Sequence, residues 1–119
     1  MDEKILPACF YKTEAGNEPV RDWLKDLDKD ERIAIGADIK TVEFGWPMGM
    51  PTCHPLGKGL YKVRSNLPSN RIARTIFCIY FGQMVILHGF IKKTQKTPKQ
   101  DLDLALERKS KLENANDKE

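Results

Sequence analysis

Between Gly59 and Lys92 the sequence holds three runs of strand-forming residues separated by two short turns. The runs are Gly59 to Leu67, Arg71 to Phe81 and Met84 to Lys92. Pro68-Ser69-Asn70 divides the first from the second, and Gly82-Gln83 closes a tight hairpin before the third. Connections this short cannot carry the chain back across a sheet. The three strands are therefore expected to be antiparallel neighbours, with the rest of the chain packed around them.

The flanking segments read as helices and one further strand. Ile5 to Tyr11 mixes apolar and aromatic residues as a strand does. Asn17-Glu18-Pro19 starts a helix, and Val20, Trp23, Leu24 and Leu27 fall on one face of it. Asp30 to Phe44 reads as a second helix with Ile35, Ile39 and Val42 inward, ended by Gly45 and Pro47. Trp46 to Pro55 reads as a loop. A last helix opens with Thr97 as cap, Pro98 at its first position and Gln100 as in a capping box. Asp101 and Asp103 suit its N-terminus, and Leu102, Ala105 and Leu106 form its inner face. The expected order is β-α-α-β-β-β-α, an α+β domain over residues 1–112 with helices on one face of an antiparallel sheet and a frayed polar tail at 113–119.

Charge is distributed unevenly over this plan. Phe44 to Gln100, 57 residues, contains no Asp or Glu but nine Lys/Arg and both histidines, His54 and His88. The flanks carry 11 Lys/Arg against all 17 acidic residues, so the overall charge of +3 conceals a strongly basic middle. Ordinary surfaces mix both signs. A basic block of this length is suited to an anionic partner, nucleic acid first. No apolar run approaches the roughly 18 to 20 residues that span a bilayer, and the N-terminus lacks the pattern of a secretory signal. Cys9, Cys53 and Cys78 are too few and too widely spaced for a disulfide framework, so a reducing cytoplasm is expected.

Strand alternation sorts the basic side chains. Lys62 and Arg64 share a face. Arg74 lies with Ile72, Ile76 and Cys78, and Arg71 lies opposite. Ile86, His88, Phe90 and Lys92 are expected on one face, with Leu87, Gly89 and Lys93 on the other. Convergence of Lys62, Arg64, Arg74 and one of Lys92 or Lys93 would make a concave basic face opposite the helices. Taken singly, each of these cations is equally well read as a solvated edge residue.

The segments PLGKGLYKVR, RIARTIFCIYF and VILHGFIKKTQKTP, leading into DLDLALERK, resemble the RelE/ParE toxin superfamily, most closely its phage-derived, HigB-like branch. The helix EPVRDWLKDL fits that branch as well. The resemblance covers about residues 5 to 112. It implies a type II toxin held inactive by a tightly bound helix-turn-helix antitoxin, with mRNA on the ribosome as substrate and no cofactor. It places Arg74 at the family's phosphate-contacting arginine, Lys62 and Arg64 on the basic strand, and Lys92 or Lys93 after the last strand. Lys58, Arg71, Lys92 and Lys96 are the expected further contacts to RNA or ribosome. At Lys99-Gln100-Asp101-Leu102, where RelE carries a catalytic tyrosine, there is none.

RNA is cut without a metal when its 2′-OH attacks the neighbouring phosphate. That step needs a base, positive charge on the phosphorane oxygens and an acid at the 5′-oxygen. Arg74 and Arg64 are expected to bind the phosphate, and Lys62 or Lys93 to act as base or acid. His88, with an ordinary pKa near 6.5, is a second candidate for proton transfer, although between Leu87, Gly89 and Phe90 it reads first as a hydrogen-bonded packing residue. Cys53-His54 has no second pair at ligand spacing, so no metal site is expected. Competing readings are a ParE-like poison of DNA gyrase and a non-catalytic nucleic-acid-binding protein.

Overall fold

The computed structural model describes residues 3–47, 52–93 and 95–117. The elements are β1 (Ala8–Phe10), α1 (Pro19–Lys25), α2 (Lys29–Gly45), β2 (Cys53–Gly57), β3 (Leu60–Asn66), β4 (Ile72–Tyr80), β5 (Gln83–Ile91) and α3 (Lys99–Asp117). They build one sheet in the order β1-β5-β4-β3-β2. The α+β class and the run of elements agree with the expectation from sequence. Three features differ, each for a local reason.

First, the sheet has five strands. Cys-His-Pro-Leu-Gly lacks the β-branched residues that mark a strand, so β2 was expected to be loop; residues 48–51 of that loop lie outside the described residues. Its place at the sheet edge, paired only with β3, is where a strand tolerates Pro55. Second, β1 is shorter than expected and pairs parallel with β5 (Ala8↔Met84, Phe10↔Ile86). The sheet is thus mixed at that edge. Third, the helices cover both faces. Val20 of α1 and Ile35, Ile39 and Val42 of α2 pack on Val63, Ala73, Phe77, Met84 and Ile86. Ala105 of α3, with Leu102 and Leu106, packs on Leu60, Ile76, Cys78, Val85 and Leu87 on the other side. β4 is buried without a break from Ala73 to Cys78. A strand apolar on both sides needs cover on both, because each large side chain left in water forgoes roughly 1.5–3 kcal/mol.

Turn and cap positions shift by one residue. The β4–β5 hairpin turns on Phe81 (φ 48°) and Gly82 (φ 74°), both in the left-handed region, as a type I′ turn requires. α3 begins at Lys99, and the Pro98 carbonyl accepts the first helical N–H groups, from Asp101 and Leu102, both at 3.1 Å. α3 continues to Asp117 rather than leaving the helix near Lys111. Trp46 sits in the core, edge-on to Tyr61 (5.0 Å) and Phe77 (5.9 Å).

β5 carries a bulge. Ile76 pairs with His88 but Phe77 pairs with Ile86, so Leu87 is an extra residue. One extra residue reverses the phase of alternation. Ile86 therefore faces α1 and α2, while Leu87 packs under α3 and His88 reaches α3 as well. This corrects the expectation that Ile86 and His88 share a face. Arg108 of α3 pins the bulge by donating from Nη1 to the Leu87 carbonyl at 2.7 Å.

Two buried carboxylates tie α2 to the sheet. Glu43 Oε2 accepts the Ala8 N–H at 2.7 Å and the Lys4 ammonium at 3.2 Å. Glu31 Oε2 accepts from Arg71 Nη2 at 2.6 Å and from Ser69 Oγ at 2.8 Å. These bonds, Arg71 first, hold the Glu31 carboxyl below its ordinary 4.5. A depressed carboxyl stabilises the fold above its unfolded pKa, and that stability is lost as pH falls through the folded value. Arg71→Ala is therefore expected to lower the thermal midpoint at pH 7 and to flatten its fall on acidification, so that variant and wild type converge toward pH 3 in circular dichroism melts. Gly89→Ala would drive a Cβ into the Trp23 ring. Overpacking of this kind costs typically 1–3 kcal/mol, and a urea titration should show that loss.

Candidate functional site

The face that carries α3 is only partly covered by it. Beyond the N-terminal end of the helix the sheet presents cations in cross-strand register. Arg64 of β3 pairs with Arg74 of β4, which pairs with Phe90 of β5. One register step away, His54, Lys62, Ile76 and His88 form a row across β2, β3, β4 and β5. Lys92 follows β5 and donates its N–H to the Ile72 carbonyl at 2.7 Å, which continues the ladder.

Arg74 is the centre of this group. Its side chain is buried, with the residue only 4% exposed, and Nη2 donates to the Gln95 carbonyl at 2.9 Å. Nε and Nη1 are buried with no hydrogen-bond partner among the described residues. A buried cationic donor left unpaired is costly, and such groups normally find a partner. An acceptor oxygen would satisfy them, and an anionic one most strongly. Arg64 stands directly opposite, and like charges at paired positions repel.

The other cations feel the same field. Burial, then the charges of Arg74, Lys92 and Arg64, hold the Lys62 amine below the ordinary lysine value. Burial and then Arg64 depress the Arg74 guanidinium, and desolvation with Arg74 and Arg64 depresses Lys92. The segment between β5 and α3 supplies small acceptors to this cluster. Gln95 Oε1 accepts from Lys92 Nζ at 3.3 Å, and Thr97 Oγ1 from Lys62 Nζ at 3.5 Å.

The structure thus brings together Lys62, Arg64, Arg74 and Lys92. The basic face is opposite α1 and α2, as expected, but α3 shares it. Lys93 and Lys96 are exposed in the segment that leaves β5, and Lys93 lines the same cleft as Asp101. Lys58 lies in the β2–β3 turn at the far end of β3 from Arg64. Arg71 is on the other face, bound to Glu31. His88 Nε2 lies 2.6 Å from Asp101 Oδ1 and its ring stacks on Phe90 at 5.5 Å.

The family model of the phage-derived protein Gp49-like group (DUF891) matches residues 22–110, most of the chain. The chain belongs to the phage-derived Gp49-like family. This is a RelE-like, toxin-type family. No curated protein matches the chain significantly. The matched span of the Gp49-like domain runs from α1 into α3 and contains every strand from β2 to β5, so the whole basic cluster lies inside it.

Sequence reasoning assigned Asp101 to the helix dipole and Thr97 to a cap, and gave Gln95 no part. In the Gp49-like fold all three border the cluster. Only the bulge at Leu87 brings His88 to Asp101, and no local pattern announces a bulge. Among the described residues, no three His, Cys, Asp or Glu side chains gather as metal ligands. The cysteines carry no reactive signature: Cys53 and Cys78 are buried, and burial pushes the Cys78 thiol up to about 11.

Arg64→Gln should remove the repulsion opposite Arg74. The variant is expected to gain stability, by roughly 0.2–1 kcal/mol for one cross-strand pair, read as a higher urea midpoint at low salt that converges with the wild type at high salt.

Proposed function

We propose that the protein is the toxin of a type II toxin–antitoxin pair of the HigB-like branch, and that it cuts mRNA on the ribosome. One observation carries this reading: the buried Arg74 guanidinium has Nε and Nη1 unpaired among the described residues and sits among cations on an open sheet face. A phosphodiester supplies the acceptors that this arrangement lacks.

Arg74 and Arg64 bind the scissile phosphate and hold the charge that grows on its oxygens in the transition state. Lys62 takes the proton of the attacking 2′-OH. Its lowered pKa keeps a larger share of the amine neutral than an ordinary lysine would have. Lys92 adds field, and Lys93 or the Asp101-held His88 delivers a proton to the leaving 5′-oxygen. The phosphate seat is lined by cations, which repel a divalent metal, and the step needs none. The cognate antitoxin, a helix-turn-helix protein, would neutralise the toxin by covering this face or by supplying acidic side chains to it.

Purified protein added to ribosomes programmed with mRNA should produce cuts in the A-site codon. Arg74→Ala should lower the single-turnover rate by about 10²–10³-fold, the range for loss of one charge-stabilising group. Because the base is a depressed lysine, the wild-type rate should rise with pH and level off below the ordinary lysine value of 10.5, and Lys62→Met should abolish that slope. Cutting should survive chelation at levels that leave the ribosome intact. Uncut mRNA together with trapped gyrase–DNA complexes would overturn the nuclease reading in favour of a gyrase poison.

A further inference from the structure

β1 ends at Phe10, opposite Ile86, so from Leu87 onward the outer edge of β5 has no neighbouring strand. A cleft of about 500 Å³ runs along this free edge. Trp23 of α1 forms one wall. Its indole lies against the α-carbon of Gly89, where any side chain would collide with it. Phe90, braced by its stack on His88, lines the cleft from the sheet. Lys93, Gln100 and Asp101 supply its polar groups.

Phe90 is the direct cross-strand neighbour of Arg74. The cleft therefore begins one strand spacing, about 4.8 Å, from the phosphate-binding cluster, a step that a single nucleotide spans. Aromatic walls next to a cationic groove are how unpaired bases are held, by stacking on one side and backbone charge on the other. Asp101 serves the N-terminus of α3 and holds His88, and it also lines the cleft, where a carboxylate favours a ligand group that donates rather than a phosphate. His88 engages Oδ1 of Asp101, and no other side-chain bond to that carboxylate occurs among the described residues. The carboxylate is thus oriented, with acceptor capacity to spare in the cleft. Of the four bases, guanine alone offers two adjacent donors, N1–H and N2–H, on its pairing edge; adenine, cytosine and uracil each offer one donor group there.

We propose that this cleft is a base-reading subsite that takes a guanine flanking the phosphate bound by Arg74, with Trp23 and Phe90 as stacking surfaces and Asp101, oriented by His88, as the group that reads it. The subsite rests on the RNA-cleaving function above, but base selectivity can be measured without the ribosome.

Trp23 reports on the cleft. Trp46→Phe makes it the sole tryptophan, and its fluorescence can be followed as RNA hexamers are added at low salt. Should that variant fail to fold, ¹⁹F spectra of the wild-type chain labelled with 5-fluorotryptophan resolve the two indoles. A hexamer of adenosines with one internal guanosine should move the Trp23 signal with a Kd roughly fivefold or more below that of the all-adenosine hexamer, the least that a two-donor contact gives. Asp101→Asn should erase the difference and leave the weaker affinity. Arg74→Ala should weaken both hexamers alike. A Trp23 signal unmoved by either hexamer overturns the subsite, as does an unchanged guanosine preference in Asp101→Asn. A signal moved by an acidic decapeptide and not by RNA overturns it too, and assigns the free edge of β5 to strand addition by a protein. Cutting on the ribosome with no base preference in the hexamer assay would leave the nuclease reading standing and the subsite refuted. Base selectivity in a protein that does not cut would do the reverse.

Discussion

A single extra residue in β5 sets the relation between sheet, helix and site. Without the bulge at Leu87, strict alternation would leave His88 on the face of α1 and α2 whenever Met84 and Ile86 fill the core there. With it, the first half of β5 completes the core under α2 and the second half turns its polar and aromatic side chains toward α3. Arg108 holds the bulge carbonyl and His88 holds Asp101, so both ends of one helical stretch are pinned to the same irregularity. Bulges commonly re-aim a side chain beside a functional site, and here the re-aimed residues are His88 and Phe90.

The basic cluster is built against the interest of stability. Arg64 faces Arg74 across a ladder pair, Nε and Nη1 of Arg74 are buried and unpaired among the described residues, and Lys62 is desolvated among cations. A structural network would have mixed signs, as Glu31 with Arg71 and Ser69 does on the opposite side of the sheet. The contrast separates the two arginines of β4 and its approach. Arg71 completes a buried carboxylate, whereas among the described residues the bond recorded for Arg74 is to the Gln95 carbonyl. Strain of this sort is retained where a ligand relieves it.

Much of this was legible in the sequence. Val20, Ile35, Ile39 and Val42 fell on the helix faces that periodicity assigned them, because a 3.6-residue repeat is a property of the local chain. Lys62 and Arg64 share a face, because a strand keeps its phase, whereas only the β3–β4 register put Arg74 on the same side. β2 was not legible, since Cys-His-Pro-Leu-Gly has turn composition and becomes a strand only by pairing with β3. Nor was the side of the sheet that α3 covers, since its apolar face is the same whichever side it docks on. Family membership extends the reading to a toxin-type domain, and no helix among the described residues is long and apolar enough to cross a membrane.

The sequence by itself determined the antiparallel core of three strands, the helices and the concentration of positive charge, all of which follow from short-range spacing and composition. Tertiary structure alone decided that Asp101 stands beside His88, that Arg71 belongs to Glu31, and that Trp23 and Phe90 flank the free edge of β5. Those pairings join residues 13, 40 and 67 positions apart in the chain. Their contact depends on the register of a bulged strand and on the docking of helices to both faces, and neither leaves a periodic trace in the chain.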